Sequence, residues 1–142
     1  MVFTGNNVTT TQGQLRASQG GLGFGGFTTG EVLSAFDHVY VKADGKIYKA
    51  NAATIAKMMS IGMVLEAHGM GDTGVWVHAY GLVTNPLWVW TPKQILYVSV
   101  TVDGAMQITA PVATGNIAQV VAIAISSTTI IVCCAYPWVE VS

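Results

Sequence analysis

The chain is poor in charged residues. Lys and Arg number six and Asp and Glu seven among 142 residues, so 9% of the chain is charged while 51% is hydrophobic. An ordinary soluble domain carries about 25% charged residues, and interspersed surface charge is what keeps a monomer dispersed. We therefore predict that much of the surface is covered by other protein or by lipid, as in a component of an assembly.

The chain also lacks the features of a nucleic-acid-binding or secreted protein. Its net charge is −1, and its five lysines and one arginine are scattered along the sequence. Binding to a phosphate backbone requires clustered positive charge, so nucleic acid is excluded as an expected partner. The first residues have neither a basic region nor an apolar run, so we expect no secretory signal.

Catalytic and metal-binding patterns are missing as well. The histidines His38, His68 and His78 lack the spacing of metal ligands, and the adjacent Cys133 and Cys134 are interpreted as small buried hydrophobes. The carboxylates fall mostly at predicted turns, and no serine has the context of a nucleophile elbow. We expect no enzyme activity, no metal and no cofactor.

One long segment carries no charge at all. From Gly104 to Val139 there is no Lys, Arg, Asp or Glu, and residues 117–136 are long enough to cross a bilayer as a helix. The segment is, however, rich in polar and β-branched residues and lacks basic residues at its ends. Two strands that meet at Ser126 and Ser127 explain it better, so we expect no membrane contact, with a spanning helix as the alternative.

The first thirty residues contain eight of the sixteen glycines and no sustained apolar period. Residues 1–36 are assigned to an extended, glycine-rich N-terminal arm and residues 37–142 to a folded domain. No strand pattern precedes the G-x-G-x-x-G spacing of the arm, so a phosphate-binding loop is not supported.

The alternative to an extended arm is a flexible terminus. In either case, removal of residues 1–30 is expected to leave the domain folded. We expect the arm to lie along a neighbouring protein surface and to contact it through Leu15, Arg16, Leu22, Phe24 and Phe27.

From Asp37 onward, short strand patterns alternate with turn residues. Alternating apolar residues flank Asp44-Gly45, which predicts a hairpin with a two-residue turn, and Asp103-Gly104 repeats the pattern. Such a series of strands and turns is typical of a small barrel or sandwich.

The fold class predicted is therefore all-β, a small antiparallel β-barrel or sandwich with one short helix and the extended N-terminal arm. The helix is predicted within residues 51–59, where an N-cap candidate precedes good helix formers. Val98, Val100 and Val102 alternate along one strand and are expected in the core.

Large aromatic residues are candidates for a contact between subunits. Trp76, His78 and Tyr80 alternate along one strand and share a face, which also has the composition of a sugar-stacking surface. Trp88 and Trp90 share a face of a second short segment. Buried aromatics often form the centre of an interface. The subunit-interface candidates are Trp76, His78, Tyr80, Trp88, Trp90 and Trp138.

The ordered series of hairpins from Val39 to Val132 resembles a small β domain of tailed-bacteriophage virion proteins, found in capsid decoration (cement) proteins and in head-fibre or tail-fibre proteins. The resemblance covers about two-thirds of the chain. It rests on four segments in order: YVKADGKIYKA, SIGMVLEAHGMGDTGVWVHAYGLV, ILYVSVTVDGAMQITAP and GNIAQVVAIAISSTTIIV.

The resemblance implies a structural protein of the virion rather than an enzyme. It implies a homotrimer that binds the major capsid protein on the outer capsid surface, stabilises the shell by bridging capsid subunits, and is made in the host cytoplasm. The alternative is a head-fibre, tail-fibre or adaptor component with a receptor-binding or glycan-binding face.

Overall fold

The computed structural model describes residues 15–18 and 21–142, and for residues 15–18 the backbone alone. These residues form an all-β fold, and the predicted short helix is a three-residue 3-10 helix at Ile55–Lys57. The strands are β1 Leu15–Ser18, β2 Gly21–Phe27, β3 His38–Val41, β4 Ile47–Lys49, β5 Gly62–Met63, β6 Val75–Thr84, β7 Ile95–Val98, β8 Met106–Gln107, β9 Ile117–Ala118, β10 Val120–Ala124, β11 Thr129–Cys133 and β12 Val139–Glu140.

The main sheet is antiparallel and strongly curled, so the fold class predicted from the sequence is confirmed. Its strands lie in the order β4-β3-β5-β6-β11-β10-β7-β8, while β9 and β12 form a separate pair. The ten-residue strand β6 joins the two halves, because one of its edges pairs first with β5 at His78 and then with β11 from Tyr80 to Thr84. Its other edge pairs with β2, which in turn pairs with β1.

Residues 21–36 belong to the fold, and the prediction that they form part of a separate arm is wrong. Strand β2 hydrogen bonds along β6, and Thr29 and Leu33 are buried. The amide of Gly30 donates to the carbonyl of Ile47 at 3.0 Å, which ties the segment after β2 to β4. Removal of residues 1–30 would therefore strip one edge of β6 instead of leaving an intact domain.

The strands alternate between a buried inner side and an outer side. On the inner side Val83, Leu96 and Ile130 are at most 6% exposed and belong to one core cluster, which Trp88 and Trp90 cover. Side chains of paired residues in an antiparallel sheet lie on the same side, and successive side chains along a strand alternate sides. The register therefore places the neighbours of these buried residues in each strand on the outer side.

Two local predictions need correction. The hairpin at Asp44 has a three-residue loop, in which the amide of Gly45 donates to the carbonyl of Lys42 at 2.9 Å. Only Gly45 of the loop has a positive φ, 79°, as in a type I turn that ends in a bulge. Val102 lies in the second turn and is 58% exposed, so it is not a core residue, whereas Val98 is fully buried.

Candidate functional site

The outer side of the sheet carries a continuous apolar ladder. Leu82 pairs with Ile131, Ile131 with Ile123, and Ile123 with Ile95, so four large aliphatic side chains cross strands β6, β11, β10 and β7 in register. Leu82, Ile95 and Ile123 are 41–47% exposed. A sheet with one face in water normally has polar residues at such positions. We call this surface the outer face: Leu22, Tyr80, Leu82, Ile95, Ile123, Ile125 and Ile131.

The outer face lies on strands without charge. Strands β2, β6, β7, β10 and β11 contain no Asp, Glu, Lys or Arg on either side. At the border of the face Thr84 and Thr129 hydrogen bond to each other at 2.8 Å, so their hydroxyls satisfy one another. An apolar surface of this kind is typical of a contact with another macromolecule.

A cleft of about 440 Å³ opens on the outer face where β2, β6 and β11 meet. Its lining includes Leu22 and Phe24 of β2, Tyr80 of β6, Cys133 of β11 and Tyr136. Burial raises the pKa of the Cys133 thiol, so this group stays protonated. The lining of the cleft is therefore mainly apolar and uncharged.

Strand β2 completes this surface because its glycines allow close packing on β6. A Cβ atom on Gly21 would overlap the ring of His78, and one on Gly23 would overlap Trp76. His78 is therefore covered within its own chain and is 3% exposed. Burial lowers the pKa of His78, so the ring is neutral near neutral pH.

The predicted interface residues divide into three groups. Tyr80 is 55% and Trp138 40% exposed, so both are accessible. Trp76, Trp88 and Trp90 are partly buried. His78 is buried inside the chain, which rules out a Trp76-His78-Tyr80 surface that presents its imidazole to a sugar. A contact of Tyr80 and Trp138 with another subunit stays a prediction.

The predicted arm contacts divide in the same way. Leu22 and Phe24 are 42% and 39% exposed and lie beside the cleft, so they are available to a partner. Phe27 packs against the core cluster formed by Leu33 and its neighbours, which is the position of a core residue. The side chains of Leu15 and Arg16 lie outside the described residues.

Trp88 and Trp90 contact one another on the inner side of the sheet. Their ring centroids lie 6.2 Å apart. The ring centroids of Phe36 and Trp88 lie 5.1 Å apart at an interplanar angle of 61°, which is an edge-to-face contact. Both tryptophans pack on the cluster that contains Leu96 and Ile130. In this position they close the concave side of the curled sheet.

Three buried polar residues form a hydrogen-bonded network in the core. His38 Nδ1 lies 3.0 Å from Ser60 Oγ, and the Gln119 side chain accepts from the amide of Ser60 and donates to its carbonyl, each at 2.9 Å. His38, Ser60 and Gln119 are all fully buried. Burial lowers the pKa of His38 to about 4, and burial raises the pKa of the nearby Cys134 to about 11. A histidine–serine pair without access to solvent holds the core together and does not reach a substrate.

Within residues 15–18 and 21–142, no group of three or more His, Cys, Asp or Glu side chains is arranged to hold a metal ion. In the same part of the chain no helix is long and apolar enough to span a bilayer. The residues that suggested such a helix form the β10–β11 hairpin, whose turn lies at Ser126 and Ser127 as predicted.

The outer face was missed as a separate surface by sequence reasoning, although a signal was present. In residues 120–124 and 129–133 both alternating sets of positions are apolar, which is also the pattern of a strand buried on both sides. The register and the exposed fractions show which strands have an exposed apolar side and which are buried on both sides.

Neither the models of known protein families nor the curated proteins contain a match to this sequence.

Proposed function

We propose that this chain is a structural component of a phage virion, a capsid decoration protein that binds other protein through its outer face. The observation that carries the proposal is the exposed ladder of Leu82, Ile131, Ile123 and Ile95 on strands without charge. The assignment to a capsid rests on the resemblance of the ordered hairpins to those of virion proteins.

The mechanism is burial of apolar surface without turnover. Removing apolar area from water contributes about 25 cal/mol per Å², and the outer face needs no charged partner because it contains no charge. Leu22 extends this surface onto β2, and the partly exposed Phe24 lines the neighbouring cleft. Contact with several capsid subunits at once would add avidity, because each bound contact raises the effective concentration for the next.

A homotrimer that binds the major capsid protein at the outer surface of the particle, after synthesis in the host cytoplasm, is part of the proposal. The accessible Tyr80 and Trp138 are available for contacts between copies. The fibre alternative, with a glycan-binding face at Trp76, His78 and Tyr80, is less well supported because His78 is buried beneath Gly21.

The number of copies in purified virions of the encoding phage tests the proposal. Quantitative mass spectrometry against the major capsid protein should find hundreds of copies per particle. A handful of copies would contradict decoration and favour a fibre or adaptor, and absence from the virion would overturn the proposal.

A further inference from the structure

A second cleft lies on the opposite, inner side of the sheet, away from the outer face. Its volume is about 300 Å³, at the lower end of the range of about 300–1,000 Å³ found for small-molecule sites. Phe36, Trp88 and Trp90 form aromatic walls, and Asp37 and Asn85 contribute the polar groups. Aromatic walls with few polar groups are the usual composition of a ligand site.

The aromatic walls are held in place by packing and by the backbone. Phe36 adopts a φ of 72°, which is unfavourable for a residue with a side chain, and its amide donates to the carbonyl of Val64 at 2.8 Å. The edge contact between Phe36 and Trp88 fixes the orientation of the indole. The amide of Trp90 donates to the carbonyl of Ser127 at 2.9 Å, which ties this segment to the β10–β11 turn.

Only one of the two carboxylate oxygens of Asp37 is used in contacts that stabilise the fold. Its Oδ2 accepts from the amide of Ser34 at 2.8 Å and lies 3.8 Å from Lys49 Nζ. Its Oδ1 lies beside Gly104, so close that a Cβ atom on residue 104 would be 2.5 Å from it. This Oδ1 has no hydrogen-bond partner among the described residues. One acceptor is therefore left for a ligand.

Asn85 supplies the complementary group. Its Oδ1 accepts from the amide of Leu87 at 3.0 Å, which leaves Nδ2 without a hydrogen-bond partner in the described part of the chain. The buried Nε1 of Trp90, at the same cleft, also has no hydrogen-bond partner among the described residues, so one acceptor and two donors are unpaired here. Lys49 offsets part of the negative charge of Asp37, so the cleft does not require a charged ligand.

We propose that the Trp88 cleft, lined by Phe36, Asp37, Asn85, Trp88 and Trp90, binds a neutral sugar of the pyranose class. A pyranose has an apolar C–H face that stacks on an aromatic ring and hydroxyls that both donate and accept hydrogen bonds. Asp37 Oδ1 accepts from one hydroxyl, and Asn85 Nδ2 donates to another. A cation would leave the amide donor without an acceptor, and a purely apolar ligand would desolvate both polar groups.

This site is independent of the proposed docking on a capsid. The outer face lies on one side of the sheet and the Trp88 cleft on the other, so the chain can bind a shell and a sugar at the same time. Failure of one proposal leaves the other standing.

Saturation-transfer difference NMR with the full chain tests the sugar site, with methyl glucosides, galactosides and mannosides of both anomers as probes. We expect at least one pyranoside to bind. Asp37→Asn should weaken it about tenfold, since a charged acceptor is lost, and Trp88→Phe should weaken it about threefold, since stacking area is lost. Asp44→Asn, which changes a carboxylate at the remote β3–β4 turn, should bind like the unmodified chain.

Thermal unfolding of each variant establishes that it is folded before its binding is compared. The absence of saturation transfer from every pyranoside would overturn the proposal. Equal binding by the unmodified chain, Asp37→Asn and Trp88→Phe would also overturn it, because the sugar would then lie elsewhere. Preferential binding of choline, a cationic probe, would contradict the neutral class of ligand.

Discussion

The two halves of the sheet differ in their content of charged side chains. At the β3–β4 end, Lys42 lies 4.8 Å from the ring of Tyr48, whose hydroxyl donates to Asp44 at 2.6 Å. Nearby, Lys57 lies 3.3 Å from Asp103. The half formed by β6, β11, β10 and β7 has no such pairs and exposes aliphatic side chains instead.

The comparison separates two explanations of low charge. The β3–β4 end is an ordinary surface, in which exposed charges pair weakly and keep the protein in solution. In the other half, the inner residues are uncharged because they form the core, but core packing does not explain the outer residues. The outer face is uncharged for another reason, and we propose that this reason is contact with protein.

The first prediction distinguishes the inner from the outer residues of one sheet. Ile130→Ala removes a fully buried side chain and should lower the free energy of unfolding by about 2–5 kcal/mol. Ile123→Ala, at 41% exposure on the outer face, should cost about 1 kcal/mol or less. Urea unfolding of the two variants measures the difference, and equal losses would contradict the assignment of the two sides.

The second prediction concerns the buried His38. In the unfolded chain its pKa is near the ordinary 6.5, and in the folded chain burial lowers the pKa to about 4. The unfolded state therefore binds the proton more readily in this window. The stability contributed by the neutral ring is complete above pH 6.5 and falls by about 3 kcal/mol as the pH decreases to 4.

His38→Gln isolates this effect, because it removes the titrating group. His78, whose pKa is also lowered by burial, adds a slope of the same sign to both proteins. Urea unfolding from neutral pH to about pH 4 should give a shallower loss of stability in the variant. Identical slopes for the two proteins would show that His38 does not titrate as described.

The third prediction tests the attachment of β2 to β6. Gly21→Ala would place a methyl group on the ring of His78 and should destabilise the protein by about 1–3 kcal/mol. Gly25→Ala in the same strand is the matched control, because the nearest atom to its Cβ, on Trp76, is 3.8 Å away. The unfolding temperature should fall for Gly21→Ala alone, and equal shifts would argue against the close packing of β2.

Local patterns predicted much of the fold, while pairings between distant segments were missed. The β10–β11 hairpin follows from β-branched residues on both sides of Ser126 and Ser127. Strand β2 was not foreseen because glycine has little strand preference. Its stability comes from pairing with β6, which lies far away in the sequence.

The candidate site was predicted only in part. Composition indicated a hidden surface and the aromatic pattern identified Tyr80, but periodicity alone did not reveal that Ile123 and Ile131 face outward. The sequence marked Asp37 only as the start of the strand region, and the structure shows that its Oδ2 accepts from the amide of Ser34 in a turn. The environment of its Oδ1 depends on Trp88 and Gly104, and such a convergence of distant segments is not encoded in any local motif.

The occupancy of purified shells by two lysine variants tests the central claim that the outer face is a contact with protein. Ile123→Lys should fold normally, because its side chain reaches water in the free chain, yet bind at least about tenfold more weakly, because a contact would bury the charge. Ile108→Lys, at 52% exposure outside the outer face, should bind like the unmodified chain. Equal occupancy of the shell by both variants would contradict the claim.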